Sequence, residues 1–343
     1  MKKNVFVFFF FVFACISLSA QNKIDKISLT YGEELADDKQ KIVKIIGESN
    51  NKIFGLGLNK EDYFIKIFDS KTMKLISSNQ IIIPQTNDKE VDFEDIYLLN
   101  GKLYAIGSVF NRKDKTFNLI GAEISEKGIL SKNTINMFNS VVAKKSERGA
   151  FYFKHSIDEA ALLVMHTSLF PKEDAVKYEV KLFDENLKSF FETSEKVKFD
   201  DSKKDYEFTI ADFELNYQDD VFLVINESYR DSKKKEQIEK FEVHAFKKAN
   251  AYKKEVIDVN IKGKEIINCE LFSTNKNTLK LVGFYSSVRD NGKANKELKG
   301  IYNFTVDLAT NASDNLKFNE FDYATKVKLL GERKAKKGKD VKP

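Results

Sequence analysis

Five short apolar runs punctuate the chain at nearly regular intervals. They are Ile53–Gly57, Leu103–Gly107, Ala161–Met165, Val221–Ile225 and Leu279–Gly283, with starts 50, 58, 60 and 58 residues apart. Each follows a turn-forming cluster: Asn50-Asn51-Lys52, Asn100-Gly101-Lys102, Asp158-Glu159, Gln218-Asp219-Asp220 and Asn275-Lys276-Asn277. Asn, Asp and Gly accept the positive φ that tight hairpins require. A second mark moves in step. An alternating strand ends in an apolar residue and meets a polar turn at Phe68, Ile124, Phe183, Phe246 and Val306, spaced 56, 59, 63 and 60 residues apart.

The two marks divide each unit into four strands. Strand A is exemplified by Glu94–Leu99 and Asp212–Leu215, and strand B is the apolar run. Strand C alternates, as in Phe241, Val243 and Ala245 against Glu242 and His244. Strand D returns, as in Leu75–Ile83 and Glu255–Ile261. Period-2 alternation in Val, Ile, Phe, Tyr and Thr favours strands over helices. A near-continuous apolar strand B is expected to be buried on both faces, and strand C to be half-exposed.

Four-stranded antiparallel sheets at this spacing resemble β-propeller blades over residues 43–320. The resemblance rests on strand spacing; kelch Gly-Gly pairs, WD dipeptides and Asp-box motifs are absent. The expected fold is all-β, a propeller-like array of about five four-stranded blades. Either Ile24–Leu29 adds a strand that completes the last blade, or the array is cut short at its C-terminal end. The rival is a pair of β-sandwich domains with a boundary near 145–150 or 200–208.

The N-terminus changes the picture. Lys2 and Lys3 precede the apolar run Val5–Val12, and Ser17-Leu18-Ser19-Ala20 then offers small residues before Gln21. That is the layout of a cleaved secretory leader over residues 1–20, too short to span a bilayer. Lipoprotein processing at Cys15 is the alternative, with a poor approach in Val12-Phe13-Ala14. Either way Cys269 is the last thiol of the body, so no internal disulfide is expected there. Residues 21–42 read as an N-terminal segment, and 321–343 as a basic, solvated tail.

Charge follows the same division. The net +5 includes Lys2 and Lys3, and Gly331–Pro343 carries +4, leaving about −1 for residues 21–330. The basic balance therefore reads as a property of the tail, with no basic stripe to receive nucleic acid. Lys/Asn/Ile/Phe-rich usage with a leader ending Ser-Ala-Gln is similar to exported proteins of AT-rich Gram-negative bacteria, which implies the periplasm or cell surface.

Candidate chemistry is sparse. The resemblance to a propeller implies a ligand face built from the B–C loops and D–A connections. Three B–C loops pair a base with an acid: Arg112 with Asp114, Arg230 with Asp231, and Arg289 with Asp290. Arginine offers a planar fork for carboxylates, which would make these loops an anion-recognising rim. The plainer reading is self-satisfied surface pairs. His155 and His166 are at most half a metal site, and His244 reads as a half-exposed strand residue. Asp88, Glu90, Asp92, Glu94 and Asp95 lack the glycine of a calcium loop. No nucleophile elbow, P-loop or dinucleotide fingerprint occurs.

The expected function is an exported binding or scaffolding module, monomeric and without cofactor or metal, whose partner is a protein or cell-envelope component. The alternative is a glycan- or peptide-directed hydrolase with its site in the central channel. Convergent acids, one of them in an apolar pocket, would favour the enzyme.

Overall fold

The computed structural model describes residues 21–24, 27–30, 39–85, 89–199, 203–261, 263–275, 277–287, 297–337 and 341. The chain divides into two compact units, Met1–Ile81 and Ile82–Pro343. In the first, β1 (Gln21–Ile24) and β2 (Ile27–Thr30) form a hairpin of their own, with Ile24 opposite Ile27. The strand expected at Ile24–Leu29 falls across these two strands, which pair with each other, a local return that closes a short loop. Sheet 1 has the order β3 (Lys41–Ser49), β4 (Lys52–Asn59), β5 (Asp62–Asp69), β6 (Leu75–Gln80).

The second unit contains four more antiparallel sheets, each a run of consecutive strands. Sheet 2 comprises β7 (Asp92–Leu99), β8 (Lys102–Asn111), β9 (Thr116–Ile124) and β10 (Leu130–Val141). Sheet 3 comprises β11 (Ala150–His155), β12 (Leu162–Phe170), β13 (Ala175–Phe183) and β14 (Ser189–Lys198). Sheet 4 comprises β15 (Lys203–Leu215), β16 (Val221–Asp231), β17 (Gln237–Phe246) and β18 (Lys254–Asp258). Sheet 5 has an interrupted first strand, β19 (Lys264–Ile266) and β20 (Glu270–Asn275), both paired with β21 (Thr278–Ser287). β22 (Gly300–Asp307) and β23 (Ala312–Glu320) follow.

The two sequence marks turn out to be cross-strand partners. Ile53 lies opposite Phe68, Leu103 opposite Ile124, Val221 opposite Phe246 and Leu279 opposite Val306. In sheet 3 the equivalent pair is Leu162 and Phe183, one residue beyond Ala161. The five sheets are therefore copies of one unit in one register.

Packing within the second unit excludes paired sandwiches. Tyr104 and Phe117 of sheet 2 meet Phe151 and Leu162 of sheet 3. Met165 and Tyr178 of sheet 3 meet Phe213 and Leu223 of sheet 4. Phe222 and Phe241 of sheet 4 meet Leu279 and Tyr302 of sheet 5. Phe222 and Val224 face one neighbour while Val221, Leu223 and Ile225 face the other, as strand alternation demands. Sheets 3 and 4 are thus buried on both faces, whereas a sandwich joins two sheets only. First strands neighbour first strands, β11 beside β15 and β15 beside β20. The chain is an all-β, propeller-like array.

The basic segment after Glu320 keeps Arg333, Lys334, Lys336 and Lys337 exposed, and it is also helical. Helices α1 (Tyr323–Leu330) and α2 (Glu332–Lys336) follow, and Val341 bridges to Leu298, whose N–H donates to its carbonyl at 2.7 Å. Leu298, Phe321 and Val341 form a buried cluster with Leu330 against it. Scattered apolar residues among the lysines give one side that can be buried. Asp322 Oδ1 accepts the Thr325 N–H at 2.7 Å and caps α1. Asp322→Ala is expected to cost the helix about 1 kcal/mol, read as faster amide exchange at Thr325.

Candidate functional site

Three distant stretches of the second unit converge on a groove at the β8–β9 turn. Asn111 shapes the turn, its Oδ1 accepting the Lys113 N–H at 3.0 Å and its Nδ2 donating to Asp114 Oδ2 at 2.7 Å. The Lys115 carbonyl accepts the Val142 N–H at 2.9 Å, which ties the turn to the end of β10. There the chain enters a single 3-10 turn, Lys145–Glu147, on its way to β11. Lys89, before β7, closes the third side and donates to the Phe110 carbonyl at 3.4 Å.

The groove encloses about 650 Å³ and is lined by Lys89, Phe110, Arg112, Lys115, Ala143, Lys144 and Lys145. Five of the seven are cations. Lys144 pairs with Glu147 at 2.6 Å. Among the described residues, no side-chain partner meets Arg112, Lys115 or Lys145. Such crowding of like charge is unfavourable until an anion relieves it, and it focuses a positive potential at the mouth. A basic surface therefore exists in a body whose summed charge is slightly negative, so the tail is not the sole seat of positive charge.

The expected rim is realised unevenly. Arg112 lines this groove and makes no ion pair with Asp114, whose Oδ2 goes to Asn111. Asp231 instead organises its own turn, accepting the N–H groups of Lys233 and Lys234 at 2.8 and 2.9 Å. Arg230 stands one residue before it at the end of β16, opposite Gln237. Arg289 and Asp290 lie outside the described residues.

A buried clamp holds the connection beneath the groove. His166 is fully buried, its ring 4.6 Å from that of Phe151 and 5.7 Å from that of Phe117. Its Nε2 meets the Arg148 carbonyl oxygen at 2.7 Å and its Nδ1 meets Glu179 Oε2 at 3.2 Å. Burial would raise the Glu179 carboxyl, but hydrogen bonds from His166 and Lys177 outweigh it and hold it at about 2. The ring thus sits between the Glu179 carboxylate and the Arg148 carbonyl and bridges β13 to the connection before β11. The Arg148 guanidinium lies 5.2 Å over the Phe117 ring.

The histidines do not assemble a metal site. His155 is opposite Leu162 and His166 opposite Phe151, so the register separates them by four positions. His244 is buried, not half-exposed, and its Nε2 meets Glu242 Oε2 at 3.2 Å. Among the described residues, no cluster of His, Cys, Asp and Glu could hold a metal ion.

The first strands carry acids as well. Burial raises the carboxyls of Glu94 and Glu214. Glu94 accepts the Ser108 hydroxyl at 2.5 Å. Lys154 reaches Glu214 at 3.4 Å and Asp212 at 3.6 Å, and Asp212 also accepts the Leu271 N–H at 2.7 Å. These links join β11, β15 and β20 across three sheets.

No family model matches the chain, and no curated protein does. Among solved structures it is similar to the tricorn protease, at TM-score 0.43 and 11% identity over 84% of this chain and 27% of that one. It is also similar to prolyl oligopeptidase B from Galerina marginata, at 0.41 and 12% over 83% and 35%. A third is an endo-arabinase from Bacteroides thetaiotaomicron, at 0.29 and 8% over 75% and 97%. The chain thus spans about a third or less of the first two. Likenesses at these TM-scores bear no weight, and the fold stands on its own register and packing.

Proposed function

We propose that the chain is an exported binding module that takes an anionic ligand, an acidic protein or cell-envelope component, in the groove of Lys89, Arg112, Lys115, Lys144 and Lys145. The observation that carries this reading is a concave surface with five cations and one internal ion pair. Export rests on the leader-like residues 1–20, which lie outside the described residues; it places the work in the periplasm or at the cell surface. Among the described residues, no helix is long and apolar enough to cross a membrane.

The test is fluorescence anisotropy of a labelled tetraglutamate peptide titrated with the purified chain. Affinity is expected to fall steeply between 50 and 300 mM salt (working values set by a Debye length of about 10 Å near 0.1 M). The double reversal Arg112→Glu with Lys145→Glu is expected to weaken binding by about tenfold or more, while Arg230→Glu leaves it nearly unchanged. Equal effects from both variants would remove the groove from the function.

The second reading is a hydrolase that uses the half-buried acids Glu94 and Glu214. Its support is their raised carboxyls, the setting a general acid needs. Turnover of a bound acidic peptide or glycan, abolished by Glu94→Gln or Glu214→Gln, would favour it over simple binding.

A further inference from the structure

A second groove opens on the other side of the same connection. It encloses about 530 Å³, within the range of ligand sites. Tyr152, Met165, Val176, Phe208, Ile210 and Phe213 make its walls apolar. Lys145 lines the basic groove and Gly149 lines this one. Three residues separate them, so the two grooves lie within about 14 Å along the backbone.

Three features of the second groove point to what fills it. Ser168 is 2% exposed, lines the groove, and its hydroxyl meets no partner. A buried hydroxyl without a partner is unfavourable until a ligand group satisfies it. The wall from Phe208 to Phe213 belongs to β15, the edge strand of sheet 4. Among the described residues, no backbone hydrogen bond reaches the outer side of β15 over Phe208–Ala211. Finally, no Lys or Arg lines this groove, and its one ionisable acid, Asp212, is already engaged by Lys154 and the Leu271 N–H, so nothing in it draws an anionic group.

We infer that the ligand is an extended peptide segment whose acidic residues occupy the basic groove and whose next apolar residues cross the Lys145–Gly149 connection to lie along the free edge of β15. This rests on the binding reading above. The cations of the first groove select the acidic end and the apolar walls of the second select the other, which fixes the direction. The free strand edge distinguishes a peptide from an acyl anion, since only a peptide has backbone groups that add to a sheet edge.

Two labelled peptides decide it with the full chain: tetraglutamate alone, and tetraglutamate followed by Gly-Gly-Leu-Phe. The longer peptide is expected to bind at least about tenfold tighter, the return on burying a Leu and a Phe. Tyr152→Glu, at a residue 46% exposed, is expected to erase that gain while leaving tetraglutamate affinity unchanged, which also shows the variant is folded. N-methylation of the Leu and Phe amides is expected to erase it too. No gain, or a gain that survives both changes, overturns this inference alone. Failure of tetraglutamate to bind overturns the anion reading on which it rests. An equal gain from a dodecanoyl chain in place of Leu-Phe would assign the groove to acyl groups and overturn the peptide.

Discussion

Gly149→Ala is expected to destabilise the chain by about 3 kcal/mol or more and to abolish binding in both grooves. Gly149 has φ +71°, a conformation that costs an L-residue about 1–2 kcal/mol. A methyl there would also overlap the Thr167 carbonyl oxygen. That atom is backbone in the centre of sheet 3, where Ala150 pairs with Thr167, and it cannot rotate away. Either β11 peels from β12 or the connection moves. Both outcomes displace Lys144 and Lys145 on one side and Tyr152 on the other. Urea unfolding checks the stability and anisotropy checks the binding. A variant with parental midpoint and parental affinity would mean that this connection tolerates movement and does not set either groove.

Most of the array was legible because strand registers leave a mark in sequence. Leu103 and Ile124 recur at one spacing because they face each other, and so do Val221 and Phe246. The slip at Ala161 has a simple cause. The Ala extends the apolar run by one residue ahead of the true first pair, Leu162 with Phe183. The helices after Glu320 leave little trace in sequence because charge dominates their composition, while burial there rests on a few scattered residues such as Phe321, Ala335 and Val341. The basic groove was only partly legible. Arg112 stood out as a loop arginine, but Lys89 and Lys144-Lys145 come from other parts of the chain and meet it only in three dimensions. A net charge near zero conceals such a patch, because it sums over surfaces that never meet. The apolar groove left no signal at all, since Phe208 and Ile210 look like any core residues of a strand. His166 is similar: one histidine in an apolar run carries no sign that both its nitrogens will face acceptors.

Glu179→Gln is expected to cost about 3 kcal/mol, the stability contributed by a carboxyl held at about 2 instead of 4.5. The amide removes the charge that the His166 ring faces at 3.2 Å, while Phe117, Phe151 and the Arg148 carbonyl still enclose the ring. Lys177, 3.0 Å from the same carboxylate, loses its partner as well but is partly exposed and recovers water. The pH dependence follows from the carboxylate. Its value is 4.5 when unperturbed and about 2 in the fold. A depressed value means that stability is present in full above pH 4.5 and drains away as pH falls to about 2. The gap in stability between the parent chain and Glu179→Gln should therefore be widest above pH 4.5 and shrink by about 3 kcal/mol toward pH 2. His166→Phe with Glu179→Leu is the informative companion. It replaces both polar partners with apolar groups among aromatic neighbours, and should recover more than half of the single-variant loss. The anion groove should not recover with it, because the Arg148 carbonyl would no longer be held. Unfolding midpoints across pH, set beside tetraglutamate affinity, separate the two effects. If the gap between parent and Glu179→Gln stays constant from pH 6 to pH 2.5, the fold does not hold the Glu179 carboxyl low and its charge is not what fastens the clamp.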